Sequence, residues 1–169
     1  PLELAITVVD ADGCAPVRDA AVDIWHCDAS GVYSGYQATS TGGPGPGGPG
    51  GGRSAPDATR FLRGTQVTGA DGVATFRTIY PGWYRGRAVH IHMKVHVDSS
   101  TRHTGQLFFS DDLNDRVYTA APYADRGAPD VRNEDDDIYA DAGGRSAEAV
   151  MTPSGDGYRG TITVGIRQR

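Results

Sequence analysis

Between Val89 and Val97 the sequence reads VHIHMKVHV, and its alternation sorts the side chains onto two faces. In a strand, Val89, Ile91, Met93, Val95 and Val97 share one face and His90, His92, Lys94 and His96 the other, because successive side chains point to opposite sides. The apolar face belongs to a core. His90 and His92 then stand about 6.7 Å apart at Cα and point the same way, a separation from which two imidazole nitrogens can converge on one metal ion. A solvated strand face shows the same polar alternation, so the pair alone leaves metal binding and plain exposure both open. His96, about 13 Å from His90 along the strand, is too distant to share an ion easily and reads as a surface residue.

Two tyrosines keep company with the pair. Tyr84 lies six residues before His90, in a Pro81-Gly82 turn that feeds the strand and can fold an aromatic back over the strand face. Tyr33 follows a Gly31 turn after the apolar stretch that contains Trp25. Taken singly, each tyrosine is the kind of residue that packs a core or lines a rim.

The elements that must position these residues are short. Apolar alternation or β-branched enrichment bounded by Gly, Asp or Pro predicts strands at Leu4 to Val9, Ala21 to His26, Thr65 to Thr68, Val73 to Thr78, Val89 to Val97, Gln106 to Phe109 and Gly160 to Ile166. Seven strands at that spacing imply an all-β, two-sheet sandwich with long loops. One short helix is expected from Asp111 to Tyr118, after Ser110 as a capping residue and with acidic side chains in its first turn. The run TGGPGPGGPGGG from Thr41 to Gly52 has too little side chain to pack and too much Pro to join a ladder, and reads as a flexible surface loop. The acidic stretch Asn133 to Gly144 lacks calcium-loop spacing and reads as a solvated loop.

Composition narrows the possibilities. The chain has 169 residues, 24 of them Gly and 10 Pro, which disfavours a helical bundle. It fits one domain, residues 1–169, large enough to fold without metal. A formal net charge of -5 with scattered basic residues offers no footprint for nucleic acid. No apolar run approaches a membrane span, and no signal peptide precedes Pro1, although the abrupt start before a strand is what a removed leader or upstream domain would leave. Cys14 and Cys27 are the only cysteines, and a bridge between them is expected, which would place the protein in an oxidising, extracellular compartment.

The stretches Trp25 to Tyr33, Pro81 to Tyr84 and Arg87 to His92 together resemble the signature of intradiol ring-cleavage dioxygenases. In that family the metal is held by a tyrosine eight residues after a strand tryptophan, here Tyr33, by a tyrosine closing a Pro-Gly turn, here Tyr84, and by the histidines of R-x-x-H-I-H, here His90 and His92. The resemblance makes Arg87 the active-site arginine and Gln106, fourteen residues beyond His92, the accompanying glutamine. It spans roughly Leu4 to Phe109 and implies a prealbumin-like sandwich, non-haem Fe(III), a catechol-type substrate and O2, with Tyr84 as the ligand that yields to substrate. Two phenolates and two imidazoles suit a hard trivalent cation better than zinc or copper(I). The expected product is a cis,cis-muconate-type diacid.

Departures from the pattern carry their own expectations. The helical dimerisation segment of the classical catechol enzymes is missing, which implies a monomer, and the short turn and cysteine positions resemble the extracellular branch. Two other readings compete. A cupin would use H-x-H with a downstream glutamate, but no Glu occurs between His92 and Glu134. A non-catalytic prealbumin-like module would share the G-x-x-P-V-x-x-A-x-V pattern from Gly13 and the T-x-x-D-G-x-A-x-F pattern from Thr68, which specify a fold and no chemistry.

Overall fold

A computed structural model describes residues 1–36 and 57–167, and the expected loop from Thr41 to Gly52 lies outside the described residues. Among the described residues, eight strands form two four-stranded sheets. They are β1 (Leu2–Asp10), β2 (Ala21–Trp25), β3 (Arg63–Val67), β4 (Val73–Thr78), β5 (His90–Val97), β6 (Ser100–Phe108), β7 (Val150–Ser154) and β8 (Gly157–Ile166). One sheet has the order β4-β1-β8-β7 and the other β3-β2-β5-β6. Pairing is antiparallel except between β1 and β8, which run parallel from Leu2↔Tyr158 to Asp10↔Ile166. The two-sheet sandwich expected from the strand spacing is the architecture found.

The core lies between the inner faces. Leu2, Leu4, Ile6 and Val8 of β1 meet Val22 and Ile24 of β2 and Ile91, Met93 and Val95 of β5, all in one buried apolar cluster. Fully burying each of the larger aliphatic side chains contributes about 1.5 to 3 kcal/mol, and this apolar contact holds the sheets face to face. Because β5 turns its odd-numbered residues inward, its even-numbered histidines must stand on the outer face of the second sheet. Packing therefore decides which way the chemistry points.

Helix α1 (Asp111–Val117) is where it was expected, although the Ser110 hydroxyl makes no capping bond. Strand β6 is longer than its apolar end at Gln106 to Phe109 implied, and β7 was not foreseen. Both are edge strands, and an edge facing water needs no apolar alternation. β7 also carries Pro153, which is tolerated at an edge.

Two expectations are corrected. The stretch Asn133 to Gly144 is not a solvated loop: it makes a 3-10 turn at Asn133–Asp135 and a one-turn helix, α2 (Asp137–Asp141), and it buries Asn133 and Asp136. The Asp136 carboxylate caps α2 and takes an ion pair, so a side chain that composition assigns to water is fully engaged inside the fold. The cysteines are both free thiols. Cys14 is exposed in the turn after β1, whereas Cys27 is buried beyond the far end of β2, where its Sγ donates to the Gly82 carbonyl at 3.0 Å. The strand between them keeps them apart. No helix among the described residues is long and apolar enough to cross a membrane.

Candidate metal centre

Two glycine-bearing turns carry the tyrosines to the histidine face. After β2 the chain turns at Asp28, whose Oδ1 accepts from the Ser30 amide at 2.9 Å, the Ser30 hydroxyl at 2.7 Å and the Val32 amide at 3.0 Å. Gly31 in this turn has φ +82, and a Cβ there would lie 2.2 Å from the Trp83 carbonyl oxygen. Gly82, from the other side, donates its amide to the Asp28 carbonyl at 2.9 Å and would push a Cβ to 2.4 Å from the same oxygen. The two turns thus pack backbone on backbone, and only glycine permits that approach. Tyr33 and Tyr84 leave these turns with ring centroids 5.5 Å apart, edge to face.

Their hydroxyls meet the histidines. His90 Nε2 lies 3.3 Å from Tyr33 Oη, 3.2 Å from Tyr84 Oη and 3.2 Å from His92 Nε2. The tautomer of His90 follows from its other nitrogen, which is 2.7 Å from the Ala88 carbonyl. A carbonyl can only accept, so Nδ1 carries the proton and Nε2 presents a bare lone pair. One lone pair cannot accept three hydrogen bonds, and 3.2 to 3.3 Å is long for any from a hydroxyl. Donor atoms that share an ion at about 2.1 Å and subtend right to tetrahedral angles lie roughly 3.0 to 3.4 Å apart. The four atoms fit a metal better than they fit each other.

Electrostatics agree. Burial, then His92 and Arg87, holds the His90 imidazole well below its ordinary value, and burial first, with Arg87 and Arg63 after it, lowers His92 to about 4. Both rings are therefore neutral near pH 7, the form that binds metal. Burial raises the Tyr33 phenol well above its ordinary value, and raises Tyr84 too, with the Arg87 guanidinium pulling Tyr84 back down. Ionising two buried phenols needs a strong local cation, which a trivalent metal provides. Among the described residues no group of three or more His, Cys, Asp or Glu is placed to hold a metal, so an ion held by these two histidines would need the tyrosines as further donors.

Support comes from several elements. Trp25 stands opposite His92 in the β2–β5 register, and its ring stacks on the imidazole with centroids 4.8 Å apart and planes parallel. Gln106 pairs with His92 from the β6 side. Arg87 joins the two halves of the site: Nη2 donates to Gln106 Oε1 at 2.6 Å, Nη1 approaches Tyr84 Oη at 3.5 Å, and Nε donates to Asp136 Oδ2 at 2.9 Å. All six sequence-predicted site residues are brought together here. His96 is apart from them, half-buried and bonded to Asp23 at 3.0 Å and Thr101 at 3.0 Å. Asp136 escaped the sequence reading, since nothing in Glu134-Asp135-Asp136-Asp137 distinguishes the one carboxylate that is buried. His26 escaped it as well. Its Nδ1–H donates to the Cys27 carbonyl at 2.7 Å, its Nε2 accepts from the Thr78 hydroxyl at 2.8 Å, and it ties the end of β2 to β4 in the opposite sheet.

A two-sheet sandwich that gathers two tyrosines and two histidines over the outer face of one sheet offers a candidate metal centre with mixed oxygen and nitrogen donors. The comparisons with known proteins give the class a name. A dioxygenase family model matches residues 1–134. A catechol 1,2-dioxygenase of Acinetobacter lwoffii is 31% identical over 130 residues, an alignment that takes in 66% of this chain and only 37% of that protein. An intradiol ring-cleavage dioxygenase from Tetranychus urticae superposes with a TM-score of 0.86 at 31% identity, covering 98% of this chain and 80% of that one. The dioxygenase domain of a carbohydrate-binding fusion protein from Streptomyces sp. SirexAA-E gives a TM-score of 0.65 at 28% identity, covering 98% and 79%. The chain belongs to the intradiol ring-cleavage dioxygenase family.

Proposed function

We propose that this chain opens catechol-type rings between the two hydroxyl-bearing carbons, adding both atoms of O2 to give cis,cis-muconate-type diacids. Tyr33, Tyr84, His90 and His92 would hold a non-haem Fe(III). The observation that carries the reading is the convergence of Tyr33 Oη, Tyr84 Oη and His92 Nε2 on the bare lone pair of His90. When bound, Fe(III) would supply the Lewis acidity that keeps phenols, those of the protein and of a catechol alike, ionised near neutral pH.

The chain's own residues divide the remaining work. Tyr33 is 4% exposed and stays fixed, whereas Tyr84 is half-buried on a turn and can swing aside. The Tyr84 oxygen would be the base that takes up one substrate hydroxyl proton. Arg87, held at the side of the site by Asp136 and Gln106, places a positive charge where negative charge develops on the ring during attack by O2. Gln106 orients that guanidinium, and Trp25 fixes the plane of the His92 ring.

The same reading takes residues 1–169 as one catalytic domain, acting as a monomer. An extracellular location is proposed on the resemblance alone, because the disulfide that argued for it is not formed. Visible absorption of the purified, iron-loaded protein and aerobic turnover of a panel of catechols, with products identified by mass, test the proposal. A tyrosinate-to-iron band and a product heavier than its substrate by one O2 are expected. A colourless protein that consumes no O2 with any catechol would refute it.

A further inference from the structure

Arg87 is usually the residue one would credit with stabilising charge, but an arginine side chain has several rotatable bonds and acts on a transition state only if something fixes it. We propose, building on the function above, that Asp136 is the positioning residue that locks the Arg87 guanidinium toward Tyr84 and the substrate ring. Asp136 lies beyond residue 134, where the family match ends.

The geometry makes the case in three steps. First, Asp136 cannot move. Its side chain is 2% exposed, its Oδ1 accepts from the Ile138 amide at 2.9 Å and the Tyr139 amide at 3.3 Å, and its Oδ2 accepts from the Ala88 amide at 2.8 Å and from Arg87 Nε at 2.9 Å. Second, the segment that carries it is tied down on both sides. Asn133 Nδ2 donates to the Phe109 carbonyl at 2.8 Å, Tyr139 Oη donates to Glu148 Oε1 at 2.7 Å, and the Tyr139 ring meets Phe108 edge-on at 5.2 Å.

Third, Asp136 and Gln106 grip Arg87 at Nε and Nη2, so the planar guanidinium loses its rotation and Nη1 is the corner left facing Tyr84 Oη. The carboxylate also fixes Ala88, whose carbonyl sets the tautomer of His90. A buried ion pair is a poor way to gain stability, since desolvation offsets most of the attraction, but it is a good way to hold one orientation.

The test is a cycle of four iron-loaded proteins: wild type, Asp136→Ala, Arg87→Ala and the double variant, read by kcat, KM for catechol, iron content and melting temperature. Asp136→Ala is expected to lower kcat by up to about 100-fold, the loss a small misplacement of a catalytic group produces, with KM changed less than about threefold. In the Arg87→Ala background the same change should lower kcat by much less, leaving only the part that Asp136 exerts through Ala88. The double variant should lose less melting temperature than the two single losses added together, because the second substitution also removes the carboxylate whose counter-charge Arg87→Ala takes away.

Asp136→Asn keeps the volume and should fold where the alanine variant does not, with the same ordering of kcat. An equal fall in kcat with and without Arg87, or an unchanged kcat, would overturn the proposal. A wild-type protein that turned over no catechol would sink the proposed function instead. The melting temperatures would then still decide whether Asp136 and Arg87 are coupled, since additive losses mean they are not.

Discussion

His26 sets a pH limit on the fold, and its size can be worked from the structure. The ring is 1% exposed, and in its neutral form it donates to the Cys27 carbonyl and accepts from the Thr78 hydroxyl, so the neutral ring is fully bonded without burying a charge. Burial, which outweighs the raising effects of the Cys27 carbonyl and Asp28, lowers it from 6.5 to about 4. The folded value is the depressed one. Stability from neutral His26 is therefore complete above the unfolded value of 6.5 and drains away as pH falls from there through about 4. At about pH 4.5 the unfolded chain holds the proton and the folded one mostly does not, and linkage puts the loss at roughly 2.5 kcal/mol.

His26→Gln removes the titration while keeping a polar side chain, and costs a pH-independent amount through lost packing and hydrogen bonds. Urea unfolding of both proteins at about pH 7.5 and about pH 4.5 isolates the effect, because all other titrating groups are common to the two. The stability gap between wild type and His26→Gln should narrow by about 2 to 3 kcal/mol at the lower pH. A gap that stays constant within about 0.5 kcal/mol would refute the reasoning and mean that the ring is protonated or wet in the folded state.

Tyr33→Phe and Tyr84→Phe should each bleach or shift the visible band of the iron-loaded protein, and a wild-type spectrum with full iron content in both would end the ligand assignment. For Arg87→Ala, iron and colour should survive while turnover falls on the order of 100-fold, like the loss of one oxyanion-hole donor. The same variant should lose about 3 to 5 kcal/mol of stability in urea unfolding, since it takes the guanidinium partner from the buried Asp136 carboxylate; a surface ion pair would cost less than about 1 kcal/mol. Thiol titration of the denatured, unreduced protein should find both Cys14 and Cys27 free, and a count of zero would restore the bridge.

How much of this was legible without coordinates depends on the range of the interaction. The direction of His90 and His92 was readable because strand periodicity is a local property: once Ile91, Met93 and Val95 must face a core, their neighbours must face away. Helix α1 was readable from its acidic first turn for the same reason. Tyr33 and Tyr84 entered through resemblance, since no local rule says that turns so far apart in sequence will pack glycine against backbone at Gly31 and Gly82.

Only the tertiary structure could separate Asp136 from its acidic neighbours or Cys27 from Cys14. A carboxylate is buried when distant donors wait for it, here Arg87 Nε and the Ala88 amide, and those donors lie 48 and more residues away along the chain. A disulfide forms only where the fold brings two sulfurs together, and the length of β2 keeps these apart. Period and turn chemistry are written in neighbouring residues, whereas charge pairing and burial are decided by which segments the closed sandwich brings into contact.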